Sequence, residues 1–243
     1  MIIKAILDSI KEDCPIRSVT SGARFNAVMS KNCGLSSRLM RESLPERSFQ
    51  LNGLSARELA GWSLSSEIEK SSLGMAALNS LIDVDEKNCT GQNASEIIEE
   101  YGRNKNISII GHFPFTDSLR TCAKNLWVME KNKKPGDFSA EDAEKYLPLS
   151  DVVALSGTTF INHTIEKLLN LCPEESIVLV LGGSTPITPV LFDFGIDFIS
   201  GCKVLNIKQA MELVDAGATF KEIKKSGSVH LLTMIKQKIS TVK

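Results

Sequence analysis

The sequence has no excess of charge of either sign. Its 243 residues include 28 Lys and Arg against 29 Asp and Glu, a formal net charge of -1. The balance holds on both sides of Gln92, with 11 basic and 11 acidic residues up to that point and 17 and 18 beyond it. A protein that binds nucleic-acid phosphates needs a positive excess. We therefore expect no nucleic-acid partner.

Long hydrophobic runs and paired cysteines are also lacking. No apolar run approaches the roughly 20 residues of a membrane-spanning helix. Residues 1–13 alternate apolar and charged positions and lack the small-residue cleavage site of a signal peptide, so we expect a helix rather than a signal peptide. The six cysteines form no C-x-x-C pair, which argues against a zinc knuckle, a thioredoxin-like motif and a disulfide scaffold. We expect a soluble cytoplasmic protein with no membrane partner, and we leave a homo-oligomer open.

Several catalytic signatures are missing. The chain has no G-x-G-x-x-G turn, no P-loop lysine, no G-x-S-x-G elbow and no H-E-x-x-H pair. A standard NAD-binding fold, triphosphate hydrolysis, an α/β-hydrolase nucleophile and a zincin site are therefore not indicated. The sequence leaves open whether the protein is an enzyme.

The first half of the chain predicts a small α+β unit. After the first helix, short stretches broken by glycines suit an antiparallel meander, with strand candidates at 18–20, 25–29 and 34–39. Ser55 and Glu58 have the spacing of a capping box, which predicts a helix start. We predict that another helix begins at Ser72, since the apolar residues that follow have helical spacing.

The second half predicts a different architecture. Residues 83–94 are polar and turn-prone, which suits a linker, and we place the domain boundary at 92, giving domains 1–92 and 93–243. Beyond it, near-continuous apolar runs alternate with helical patterns. This is typical of a parallel sheet with helices on both faces. The runs are 107–110, 126–129, 152–155, 177–181 and 196–199.

Glycines end four of these runs: Gly111, Gly157, Gly182 with Gly183, and Gly201. In an open parallel sheet, ligands bind outside the carboxyl ends of the strands, and glycine lets the backbone turn sharply and approach a ligand. We expect these turns to meet at one edge. Cys202 is interpreted as a small buried apolar residue, and His230 is placed in a C-terminal helix.

The first two strand ends carry a histidine and a carboxylate. His112 and Phe113 follow Gly111, and the pattern leaves open whether they pack locally or whether His112 faces a ligand or metal. Glu130 lies 19 residues beyond Gly111, near the spacing at which an acidic residue binds a ribose hydroxyl. A solvated charge is the alternative for Glu130.

The later turns are rich in hydroxyl groups. Gly157 is followed by Thr158, Thr159 and Asn162, which are more polar groups than one helix cap requires. Gly183, Ser184 and Thr185 form a turn with unpaired N–H groups that suits an anion. The prolines of that turn allow a second interpretation, as a stiff connection.

Four segments together resemble one family. They are Gly74–Leu81, Gly111–Phe115, Gly157–Asn162 with Thr164, and Gly183–Pro186, and they occur in the family's order along essentially the whole chain. The resemblance is to the heavy-metal chelation proteins, a group of unknown function. It implies an enolase-N-terminal-like α+β domain followed by a Rossmann-like parallel sheet. The pair Gly182-Gly183 departs from the family's common glycine-proline.

The resemblance implies a ligand site in the cleft between the domains. The positions that carry over are Asn79, His112, Glu130, Thr158, Asn162, Ser184 and Thr185. The first hypothesis is binding of a transition metal ion or a metal complex such as a tetrapyrrole, with His112 and Glu130 as metal ligands. The alternatives are a nucleotide- or S-adenosylmethionine-using enzyme and a non-catalytic sensor. The hydroxyl and amide groups favour an anionic organic ligand, whereas the family favours metal, and the sequence does not decide between them.

Overall fold

The computed structural model describes residues 1–40, 51 and 53–237. In the first part of the chain, the described residues form three strands and three α-helices. They are α1 (Ile2–Ser9), β1 (Ser18–Ser21), β2 (Phe25–Met29), β3 (Cys33–Ser37), α2 (Ala56–Gly61) and α3 (Ile68–Leu81). The strands pair in the order β1-β2-β3, all antiparallel, as the meander pattern predicts.

Helix α3 packs against the small sheet. Ten of its fourteen residues are buried, so it is covered on most sides. Gly34 of β3 permits the close approach, since a Cβ at that position would lie 2.1 Å from the carbonyl oxygen of Ala76. The expected start at Ser72 is wrong: α3 begins four residues earlier, and the buried Ser72 hydroxyl instead accepts the backbone N–H of Leu39 at 2.9 Å.

The capping box at the start of α2 is confirmed. The Ser55 side chain accepts the N–H of Glu58, and the Glu58 carboxylate accepts the N–H of Ser55. These two bonds satisfy backbone donors that a helix start leaves open.

The remainder of the chain forms the large sheet and its helices. Its strands are β4 (Cys89–Thr90), β5 (Asn106–Ile110), β6 (Asn125–Met129), β7 (Val152–Ser156), β8 (Ile177–Leu181), β9 (Phe198–Val204) and β10 (Val229–Ile235). Its helices are α4 (Ala94–Gly102), α5 (Thr116–Leu119), α6 (Ala143–Tyr146), α7 (Thr158–Ile161), α8 (Ile165–Leu169), α9 (Ile207–Asp215) and α10 (Phe220–Lys225). The order in the sheet is β4-β10-β9-β8-β7-β5-β6.

The sheet is mostly parallel, which confirms the α/β fold class. Strands β9, β8, β7, β5 and β6 run parallel, whereas β10 is antiparallel to both of its neighbours. Burial of the parallel strands on both faces explains their continuous apolar runs. Among the described residues, no helix has the length and apolar character needed to cross a membrane.

Three expectations at the antiparallel side of the sheet are wrong. Gly201 does not end a strand, because β9 continues to Val204 through seven paired positions with β10. His230 lies on that strand β10 rather than on a helix, and it is exposed. The expected linker contains β4, since Cys89 pairs with Met234. Backbone pairing between distant segments extended these elements beyond what their local patterns indicate.

Candidate functional site

A cavity of about 550 Å³ lies at the carboxyl ends of β5, β7 and β8, the edge at which open α/β sheets bind ligands. We call it the edge cavity. Strands β9 and β10, the first turn of α4, helix α10 and the small sheet complete its walls. Six of the twelve predicted ligand residues line it: His112, Phe113, Gly157, Thr158, Gly183 and Ser184.

Backbone conformation at the edge depends on two glycines. Gly111 has φ +103° and Gly182 has φ +119°, values that side-chain-bearing residues rarely adopt. Gly157 is needed for space rather than for conformation, because its φ is -56° and a Cβ there would lie 2.7 Å from the Thr185 backbone nitrogen. The turns after β7 and β8 therefore pack directly against each other.

Ser184 joins the two sheets at the wall of the edge cavity. Its hydroxyl accepts the backbone N–H of Ser37 at 2.8 Å and donates to the Ser37 hydroxyl at 3.1 Å. Asn79 of α3 supports the same junction, since its amide donates to the carbonyl oxygens of Leu35 at 2.9 Å and Ser184 at 3.3 Å. Ser184 thus has a structural role in addition to any contact with a ligand.

Hydroxyl groups at the end of β7 form a local network. The Thr158 and Ser156 hydroxyls lie 2.9 Å apart, and the Ser156 hydroxyl also accepts the Thr158 N–H at 3.3 Å. Both residues line the edge cavity. Thr159 turns away and donates to the Ser156 carbonyl oxygen at 2.7 Å, so it stabilises the turn.

The structure does not bring the other predicted residues into the edge cavity. The Glu130 carboxylate accepts the N–H groups of Lys131 and Asn132 in its own loop. Asn162 accepts both the N–H and the hydroxyl of Thr164 ahead of α8. Next to Asn162, His163 also lies outside the edge cavity and bonds the Ser65 carbonyl oxygen at 2.8 Å. Asn79, Gly111, Thr159 and Thr185 are also absent from the described lining of the edge cavity.

The structure adds aromatic and cationic groups that the sequence patterns do not indicate. Phe25 of the small sheet, Phe115 and Phe220 line the edge cavity together with Phe113. Two lysines of α10, Lys221 and Lys224, lie at its wall, and neither forms an ion pair with a described residue. Their spacing of three residues places them on one helical face, but only the tertiary fold turns that face toward the sheet edge.

His112 has a partner that the sequence does not indicate. Its Nδ1 lies 3.2 Å from a carboxylate oxygen of Asp137, and the Asp137 side chain has no exposed surface. Asp137 lies 25 residues further along the chain, in the loop after β6. No sequence signal pairs it with His112.

The donor set does not suit a bare metal ion. A tight transition-metal site assembles three or four His, Cys or carboxylate ligands, and no such group of three exists among the described residues. The described wall of the edge cavity has one imidazole, no carboxylate and no thiol. Burial raises the pKa of the nearby Cys202 thiol to about 12, so it is protonated at neutral pH and is a poor metal ligand.

Comparisons with known proteins identify two family models that match different parts of the chain. A family model described as "Putative heavy-metal chelation" matches residues 93–233, and a second with the same description matches residues 3–82. An uncharacterised protein of Methanocaldococcus jannaschii is 28% identical over 152 residues, which span 60% of this chain and 59% of that protein.

Two solved structures share the fold. Both are proteins of unknown function from the DUF364 family. The one from Desulfitobacterium hafniense DCB-2 has a TM-score of 0.83 at 23% identity, covering 97% of this chain and 98% of that chain. The one from Pyrococcus horikoshii has a TM-score of 0.85 at 19% identity, covering 97% and 100%. Identities this low support the fold and do not transfer a function.

Proposed function

Since the chain belongs to the family described as putative heavy-metal chelation, we propose that it binds an anionic organic ligand with a flat conjugated part in the edge cavity. A heavy metal enters the site only as part of such a ligand, held by the organic chelator. The family description names a heavy metal, whereas the described residues of the edge cavity supply lysines and aromatic rings but no cluster of metal ligands. A metal held by an organic chelator agrees with both observations.

The observation that carries the proposal is the composition of the cavity wall. Phe25, Phe113, Phe115 and Phe220 supply flat apolar surfaces for a conjugated ring system, while Lys221 and Lys224 supply positive charge. No carboxylate among the described lining residues opposes them. A mostly apolar cavity of 300–1,000 Å³ with a few convergent polar groups is typical of small-molecule sites, and about 550 Å³ falls within that range.

The position of the edge cavity agrees with the proposed two-domain division. Phe25, Ser37 and Gln92 come from residues 1–92, and the other described lining residues come from residues 93–243. A ligand in the edge cavity would therefore contact both proposed domains. The Ser184–Ser37 hydrogen bonds hold the two sides together beside it.

The test compares three probes by isothermal titration calorimetry: zinc protoporphyrin, Zn²⁺ alone and AMP. Zinc protoporphyrin is a planar metal chelate with two carboxylates. We expect it to bind at 1:1 stoichiometry, while Zn²⁺ alone shows no stoichiometric binding. The double substitution Lys221→Ala with Lys224→Ala is expected to weaken the tetrapyrrole about tenfold or more and to reduce the salt dependence of its affinity, because two charges are lost.

Lys225→Ala is the matched control. Lys225 is exposed on the same helix, does not line the edge cavity, and should leave the affinity unchanged. Stoichiometric Zn²⁺ binding without tetrapyrrole binding would overturn the proposal in favour of a metal-ion site. Binding of AMP in preference to the tetrapyrrole would overturn it in favour of a nucleotide-using protein.

A further inference from the structure

The Asp137 carboxylate lies beside His112 and is buried, which lowers the stability of the folded protein unless the carboxylate is fully paired. The Asp137 side chain has no exposed surface. One of its oxygens, Oδ2, faces His112 Nδ1 at 3.2 Å and accepts the Lys134 N–H at 2.9 Å. The other, Oδ1, is buried and has no hydrogen-bond partner among the residues that the structure describes. Buried polar groups are nearly always paired, so an under-satisfied carboxylate beside a histidine calls for a functional reason.

The backbone holds Asp137 in this place. Phe138 donates its N–H to the Val128 carbonyl oxygen at 2.7 Å and accepts the N–H of Glu130 at 3.1 Å. These bonds pair the end of the loop with β6, and the turn before them requires Gly136 at φ +91°. The carboxylate is therefore placed by main-chain pairing rather than by a freely moving side chain.

The pairing fixes the chemistry of the imidazole. An ionised carboxylate accepts hydrogen bonds and cannot donate them, so the proton of a neutral His112 lies on Nδ1 and the lone pair on Nε2. No described residue bonds Nε2, and the ring borders the edge cavity with 16% of its side chain exposed. A histidine oriented by a buried carboxylate is the arrangement of a general base.

We propose that His112 removes a proton from the molecule bound in the edge cavity and that Asp137 is its positioning residue. The proton passes from the bound molecule to Nε2, the electron pair stays on that molecule, and the imidazolium formed is paired with the Asp137 carboxylate. Negative charge that develops on the molecule is favoured by Lys221 and Lys224, which lie at the same cavity. The proposal rests on the edge cavity being a ligand site, but not on which anion it binds.

The test uses 5-nitrobenzisoxazole, a flat neutral molecule that suits a cavity with several phenylalanines. A base removes the proton on its ring carbon, the C–H electron pair forms a nitrile, and the N–O bond breaks to release a coloured phenolate. No other reactant is needed. Because the probe is neutral, its binding does not require Lys221 and Lys224 to hold an anion. Failure here and failure of the tetrapyrrole titration are therefore distinguishable.

The expected result is turnover that depends on both members of the pair. His112→Ala should lower kcat by at least about tenfold, toward the roughly 10²–10⁴-fold range of general base catalysis, and added imidazole should restore part of the rate. Asp137→Asn should lower kcat with little change in KM, because an amide can donate to Nδ1 and reverse the tautomer. His230→Ala, on an exposed histidine outside the cavity, should leave kcat unchanged.

Equal rates for the unmodified protein and His112→Ala would overturn the proposal. If His112→Ala does not fold, site-resolved acylation of the unmodified protein by diethyl pyrocarbonate replaces it. Saturating 5-nitrobenzisoxazole should then slow the acylation of His112 severalfold and leave that of His230 unchanged. Equal acylation rates of His112 with and without this probe would place His112 outside the reach of the bound molecule and would also overturn the proposal.

Discussion

Gly157 offers a direct test of how tightly the two turns at the edge cavity pack. Its φ of -56° and ψ of -16° are ordinary helical values that alanine adopts without strain. Substitution by alanine therefore changes the space at this position and not its backbone preference. A Cβ would lie 2.6 Å from the Thr185 hydroxyl, 2.7 Å from the Thr185 nitrogen and 3.1 Å from the Ser184 carbonyl carbon.

The magnitude follows from which neighbours must move. Ordinary contact begins at about 3.4 Å, so the Thr185 backbone must retreat by about 0.7 Å. Overpacking of this kind costs about 1–3 kcal/mol. Loss of glycine's freedom in the unfolded chain offsets about 0.4–1 kcal/mol. Steric repulsion is the larger effect, and we expect a net loss of about 1–2 kcal/mol in the free energy of unfolding.

Thermal unfolding followed by circular dichroism measures this loss. For a chain of this size, about 1–2 kcal/mol corresponds to a Tm lowered by about 2–8 °C. The affinity for zinc protoporphyrin should fall as well, since Gly157 and the displaced Ser184 both line the edge cavity. Gly61→Ala is the control, because a Cβ at that helical position would have no described atom within 4 Å. Its Tm should be unchanged or higher. A Gly157→Ala protein as stable as the unmodified one would refute the packing argument.

Two further predictions concern the junction of the sheets and the response to acid. Ser184→Ala should lower the free energy of unfolding by about 1–2 kcal/mol, measured by urea denaturation, because it leaves a backbone N–H of β3 without its acceptor; an unchanged urea midpoint would contradict this role. The hydrogen bond from Lys31, at 2.6 Å, holds the pKa of Asp83 below its ordinary value. Its contribution to stability is therefore present above the unfolded-state pKa and is lost as the pH falls through the lower folded-state pKa. Asp83→Asn should be less stable than the unmodified protein at neutral pH, with the difference vanishing at a pH below the folded-state pKa, and a difference that persists there would contradict the assignment.

The predictions of strands and helices are most accurate where one local sequence pattern dominates. The apolar runs at 107–110, 126–129, 152–155 and 177–181 all lie within β5 to β8, because strands buried on both faces need continuous apolar residues. The pattern fails at 196–199 and around His230, where β9 and β10 stabilise each other by pairing. Each strand is stabilised by a partner that is distant in sequence, so the sequence of neither segment alone predicts the strand.

The candidate site divides in the same way. His112, Thr158 and Ser184 could be found because they follow predicted strands, and parallel strands bring their carboxyl ends to one edge. Glu130 also follows a predicted strand, yet its carboxylate accepts hydrogen bonds from the N–H groups of its own loop. Asp137 lies late in the loop after β6 rather than directly at a strand end, and it reaches His112 only because Phe138 pairs back onto β6.

The local sequence pattern determined the α/β class, the parallel strands and the glycine turns, since each depends on residue type and spacing over a few positions. Only the tertiary structure decided which groups share the edge cavity. Phe25 and Phe220 lie almost 200 residues apart in sequence, yet their rings are 5.9 Å apart at that cavity. The balance of cations, aromatic rings and one carboxylate-oriented histidine arises from contacts of long sequence separation, and a local pattern does not encode such contacts.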